Sequence, residues 1–106
     1  MSYNKIGDVL AAQGNLPDSL RAYRDSLGIA ERLAQSGTGN AGWQRDLSVS
    51  HAKPADVFMK SNDRANARRP LTEGRAIIAG PVAKFPDRAD WKQDLAWFDA
   101  QIRALK

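Results

Sequence analysis

Residues 2–49 and 50–97 align without a gap, and this duplication at a spacing of 48 constrains the fold more than any other feature of the chain. Ser2, Lys5, Asp8, Val9, Arg21, Ile29, Ala41, Trp43, Asp46 and Leu47 meet Ser50, Lys53, Asp56, Val57, Arg69, Ile77, Ala89, Trp91, Asp94 and Leu95. A chain that repeats one unit of this size builds a row of structural copies, each burying its apolar face against the next.

The unit itself is helical. Between Tyr3 and Leu27 the apolar residues recur every three or four places on either side of Gly14-Asn15, which predicts two amphipathic helices folded into a hairpin. Gly7 shares a face with Tyr3, Ile6 and Leu10, while Ser19 and Ser26 share one with Tyr23. Small residues there let the backbones approach while aromatics fill the flanking gaps.

Asn15-Leu16-Pro17-Asp18 reads as a helix start, with a capping amide, an early proline and an acid in the first turn. That helix should reach about Gln35, before the turn Ser36-Gly37-Thr38-Gly39-Asn40. The next helix begins near Asn40 or Ala41 and carries Trp43, Leu47, Ser50, Pro54 and Phe58 on one face up to Met59. Asp63 repeats the cap of Asn15, Phe85-Pro86-Asp87-Arg88 closes the second hairpin, and Trp91, Leu95, Phe98, Ile102 and Leu105 mark a last helix. No alternating run of useful length appears, so the expectation is an all-α chain of five antiparallel helices. Trp43 and Trp91 are expected to anchor the core, and Pro54 and Pro70 to kink their helices without ending them.

The spacing resembles the tetratricopeptide repeat. Tyr3, Ile6-Gly7, Gly14, Tyr23 and Leu27 fit its consensus, Leu10 replaces an aromatic, Ser19 and Ser26 replace alanines, and Glu31 stands where the consensus has proline. Without that proline the second helix can run on through Ile29, Ala30 and Leu33, giving a 48-residue variant of a unit usually near 34. The resemblance implies a right-handed stack of about two and a half repeats in one domain over 1–106: repeat one at 2–49, a degenerate repeat two at 50–97, and the remainder of a C-terminal capping helix at 98–106. It also implies a non-catalytic scaffold module of a larger bacterial protein that binds a protein or peptide segment in a concave groove; the lack of cysteine makes the cytoplasm the expected location. Met1 is expected to open inside a helix of a longer array, leaving an edge of Tyr3, Val9 and Leu16 through which the chain can self-associate.

Composition narrows the chemistry. There is no cysteine, which removes disulfides, thiol nucleophiles and thiolate metal sites, and no apolar run approaches the roughly 18 residues needed to span a bilayer. His51 is the sole histidine and stands at the place of Tyr3 on a packing face, so it reads as structural. Ser2, Ser19, Ser26, Ser48 and Ser50 fall at helix spacings and none sits in a strained strand-to-helix turn. No glycine-rich phosphate loop follows a strand. The sequence therefore predicts no catalytic residue, no metal site and no cofactor.

Two surfaces are candidates for binding. In the family the face of each first helix opposite its packing stripe lines the groove; here it carries Asn4, Asp8, Ala11 and Ala12, then Ala52, Asp56, Met59 and Lys60. Asp8 and Asp56 are repeat mates, and as a stripe they suit a segment bearing lysine or arginine; the alternative is pairing with Lys5 and Lys53, three residues earlier. The family's lysine and asparagine clamp for a terminal carboxylate is not reproduced. The second surface is basic. Residues 1–49 hold five basic and five acidic groups against eleven and seven in residues 50–106. Leu16, Leu20 and Leu27 become Arg64, Arg68 and Arg75, which with Arg69 and Lys60 form the patch that a nucleic acid or acidic partner would use. No aromatic is interleaved to stack bases, and the outermost unit of an array needs a solvated face, so solubility is the favoured reading of those arginines. Trp97, which replaces Val49 and breaks the repeat, is the aromatic expected to mark a contact surface.

Placing Tyr23 at the hairpin contact makes Tyr23→Ala costly, by about 3–5 kcal/mol, readable as a large drop in melting temperature.

Overall fold

A computed structural model describes residues 3–37 and 39–105, with the side chain of Tyr3 outside the description; the packing role expected of that ring and the place of Thr38 in its turn fall outside it too. Five helices follow one another: α1 (Tyr3–Ala12), α2 (Leu16–Ser36), α3 (Ala41–Lys60), α4 (Arg64–Lys84) and α5 (Ala89–Ala104), with no strand among the described residues. None of these helices is long and apolar enough to cross a membrane.

The duplication reappears in the helix boundaries. Adding 48 to α2 gives α4, adding 48 to the end of α1 gives the end of α3, and adding 48 to the start of α3 gives the start of α5. Local chemistry sets these limits. Asn15 accepts from the Asp18 amide at 3.4 Å, Asn40 from the Trp43 amide at 3.0 Å and Asp63 from the Asn66 amide at 3.2 Å, so three helices start on a side-chain cap. Asn15 Nδ2 also donates to Asp18 Oδ2, while Asn66 Nδ2 donates to Asp63 Oδ2, so the same pair is made with donor and acceptor exchanged.

The hairpin turns match equally closely. Gly14 has φ +81° and its repeat mate Asn62 has φ 59°, the left-handed conformation that glycine adopts freely and asparagine tolerates. Amide hydrogen bonds from Asn15 to the Leu10 carbonyl (2.8 Å) and from Asp63 to the Phe58 carbonyl (2.7 Å) then close the ends of α1 and α3 in the same way.

Three prolines lie inside helices, Pro54 in α3 and Pro70 and Pro81 in α4, and both helices continue through them. Each removes one backbone donor, a cost of about 3 kcal/mol in an isolated helix, so packing must hold these segments helical. Each helix packs on the next, the longest contact is α3 on α4, and α1 and α5 both touch α3, whereas α2 and α4 do not meet among the described residues. The molecule measures 37 × 33 × 20 Å. Its short dimension is two helix diameters, as expected for two layers.

The main core is formed by Ala55, Ala67, Leu71, Ile78, Trp91, Phe98 and Leu105, joining α3, α4 and α5. Repeat one is packed differently, through close approach. Gly7 lies under the Tyr23 ring so tightly that a Cβ there would collide with it, and the buried Ser19 hydroxyl donates to the Gly7 carbonyl at 2.9 Å. Tyr23 is 3% exposed. Trp91 is buried as expected, but Trp43 is half-buried and lies outside that core. Phe85 packs edge-on against Trp91 with centroids 5.6 Å apart, while its repeat mate Gly37 offers Trp43 no side chain and is itself covered by the indole.

Glycines in these helices consequently fall into two kinds. Gly7→Ala should destabilise the protein by at least about 1–3 kcal/mol because the buried Tyr23 ring has nowhere to go. Gly28→Ala, where a new Cβ meets nothing within 4 Å, should stabilise it by about 0.5–1 kcal/mol. Chemical denaturation of the two variants checks the opposite signs.

Candidate functional site

α1, α3 and α5 form one face that brings together six of the eight predicted groove residues, in two hollows that share Asp56 and Lys60. The first, about 370 Å³, lies between α1 and α3 and is lined by Asp8, Ala11, Ala12, Asp56 and Lys60, with Leu16 and Tyr23 from α2. The second, about 440 Å³, lies between α3 and α5 and includes Val49, Ala52, Lys53, Asp94 and Trp97. Trp97 is half-buried and packs edge-on against the buried Phe98 ring, at 5.2 Å and 79°. Its ring is thereby held in place at the wall of the hollow.

Two predicted groove residues are placed elsewhere. Met59 packs against the core, because it follows the fully buried Ala55 by one turn and shares its row. Asn4 is half-buried and does not line either hollow; its Oδ1 is buried with no hydrogen-bond partner.

The aspartates are not an open acidic stripe. Asp8 Oδ1 accepts from the Tyr23 hydroxyl at 2.6 Å, and Asp8 Oδ2 lies 3.2 Å from Lys53 Nζ on the next repeat. Burial, and then the hydrogen bond to Asp8, push the Tyr23 phenol far above its ordinary range, so it is a permanent donor. Asp56 pairs with Lys60 at 3.0 Å, one turn along its own helix. Arg45 Nε and Asp94 Oδ2 meet at 2.8 Å across α3 and α5. Lys53 thus bridges repeats instead of pairing with Asp56 on its own helix. These partly exposed pairs each contribute about 0.2–1 kcal/mol, and their larger effect is to fix the charge pattern of the face.

The basic patch is divided. Arg69 Nε is 3.0 Å from Glu73 Oε1, and Arg75 is paired with Asp99 on α5. Arg64 and Arg68 are exposed without an ion pair among the described residues. With Lys60 held by Asp56, three of the five residues of the predicted patch are therefore neutralised within the fold. A helical wheel of α4 alone could not reveal the Asp99 contact, which depends on how α5 crosses it.

His51 is 7% exposed, between Gly74 and the carboxylate of Glu73, whose Oε2 is 3.8 Å from Nδ1. It borders a hollow of about 360 Å³ with Glu31, Ala34, Gln35, Gln44 and Leu47. Burial lowers its pKa below 6.5 even though Glu73 and Glu31 act to raise it. The unfolded chain then binds the proton more readily than the folded one. The stability contributed by neutral His51 is complete above pH 6.5 and is lost as pH falls from there toward the depressed folded value. His51→Gln should flatten the dependence of denaturation midpoint on pH between neutrality and about 5, above the range where ordinary carboxylates titrate. No protein-family model, curated protein or solved structure matches the chain.

Proposed function

We propose that the chain is a non-catalytic interaction module, a right-handed tetratricopeptide-type stack that holds a peptide segment of a protein partner along the face made by α1, α3 and α5. The observation that carries this reading is the pair of adjoining hollows on that face, with small walls at Ala11, Ala12 and Ala52 and a packed Trp97 at one side. The helix boundaries repeated at 48 and the layer of odd-numbered helices in mutual contact support the stacked arrangement.

The pairing pattern modifies the expected ligand. Since Lys53 and Lys60 already satisfy Asp8 and Asp56, a basic segment gains little by displacing them. A segment that inserts an apolar side chain beside Trp97 and Val49, and leaves the pairs intact, fits the face better. A nucleic-acid role for the basic second repeat is the weaker reading, as Arg69 and Arg75 are engaged within the fold.

Panning a displayed random-peptide library against the chain tests this. Selected peptides should carry an apolar anchor, lose at least tenfold in affinity with Ala12→Arg or Trp97→Ala, and be indifferent to Arg64→Glu and Arg68→Glu. Binders lost through the arginine variants and insensitive to the groove variants would transfer the function to the basic patch.

A further inference from the structure

Asp25, Ile29 and Leu33 follow one another along α2, and their repeat mates on α4 are Glu73, Ile77 and Pro81. The α4 row is partly covered by α3. Glu73, itself exposed, reaches His51, while half-buried Ile77 and buried Pro81 share a hollow with Ala41 and Gln44 at the start of α3. The α2 row is bare, with Ile29 39% and Leu33 43% exposed.

Charge on the same face says what can cover it. Asp25 and Arg32 are both exposed, and neither has an ion pair among the described residues. Seven positions apart, they project within about 20° of each other around the helix but are separated by about 10 Å along it, too far to pair. Asp25 and Arg32 are placed symmetrically about Gly28-Ile29, so the row is complementary to itself when reversed. The opposite end of the molecule offers no such match, since Lys92, Gln93, Ala96 and Arg103 make the exposed side of α5 polar or small.

We propose that two copies of the chain associate through α2, antiparallel about a twofold axis near Gly28-Ile29. Each Arg32 meets the Asp25 of the other copy, Ile29 of both copies is covered at the centre, and each Leu33, one position beyond Arg32, packs at the flank of the contact. An isologous contact of this kind closes on itself and stops at a dimer. The groove opens on α1, α3 and α5, and its two α2 residues, Leu16 and Tyr23, lie outside the Asp25–Leu33 row, so it stays open; the dimer presents two binding faces and gains avidity for a partner with two copies of its segment.

Sedimentation equilibrium over a loading series tests the proposal on the intact chain. The expected result is a monomer–dimer equilibrium. Asp25→Arg or Arg32→Asp should each weaken it at least tenfold, because each places two like-charge pairs across the axis. The double variant Asp25→Arg/Arg32→Asp should restore it, and an equimolar mixture of the two single variants should form the heterodimer. Both positions are exposed and unpaired, so helicity by circular dichroism should not change; Leu33→Glu provides an independent disruption. A monomer at every loading, or a dimer indifferent to both single exchanges and to Leu33→Glu, would overturn the proposal.

Discussion

Two helices can lie close together when one of them supplies no side chain at the crossing, and much of this structure depends on that condition. At the α1–α2 crossing the missing side chain belongs to Gly7, whose space is taken by Tyr23. At the crossing of α4 with α5 it belongs to Gly74, whose space is taken by Phe98. Such a contact has high density and little tolerance, because the ring is buried and cannot move aside. It also delivers function-related geometry. Tyr23, once fixed over Gly7, places its hydroxyl on Asp8, and Asp8 then presents its other oxygen to Lys53 of the next repeat. Close packing inside one hairpin thereby helps to set the distance to its neighbour.

The elements were largely legible in the sequence because their determinants are local. Caps at Asn15 and Asp63 and the turn at Gly14 depend on residues within a few positions of each other, and those are the features the structure returns with the least change. The partners of charged groups were not legible. Lys53 could be assigned to Asp56 on helical spacing, yet it reaches Asp8, 45 residues away, because α3 lies against α1. Likewise Arg75 finds Asp99 on α5. A wheel drawn for one helix contains no information about what the neighbouring helix brings to its surface. Met59 illustrates a finer limit: one position separates a groove-lining Lys60 from a side chain that joins the core.

Substitutions between the two repeats occur in compensating sets. Where Gly37 becomes Phe85, the tryptophan opposite moves from half-buried to buried and acquires an edge-on aromatic neighbour. Where Ser26 and Ser50 become Gly74 and Phe98, a small residue on one helix makes room for a large one on the other. Repeat one uses Ser19 to hydrogen-bond the Gly7 carbonyl, whereas repeat two has Ala67 and Ala55 there, both fully buried. The second solution is drier and concentrates the apolar core in α3, α4 and α5. Only the exchange of Gly7 and Ser19 for Ala55 and Ala67 roughly keeps side-chain volume; the other two each add an aromatic ring to the later copy.

α3 is a single helix of 20 residues that packs on α2 and also forms the hairpin with α4. No linker separates the repeats. Opening either hairpin therefore exposes a surface of the same rigid rod, and the two repeats are bound into one cooperative unit in a way that short connectors between units would not achieve. Nearly all contacts also join helices adjacent in the chain, a topology in which little loop closure precedes the first stabilising contacts. α3 is accordingly the element around which folding can begin and the last from which backbone amides should exchange with solvent, while the outer helices fray first.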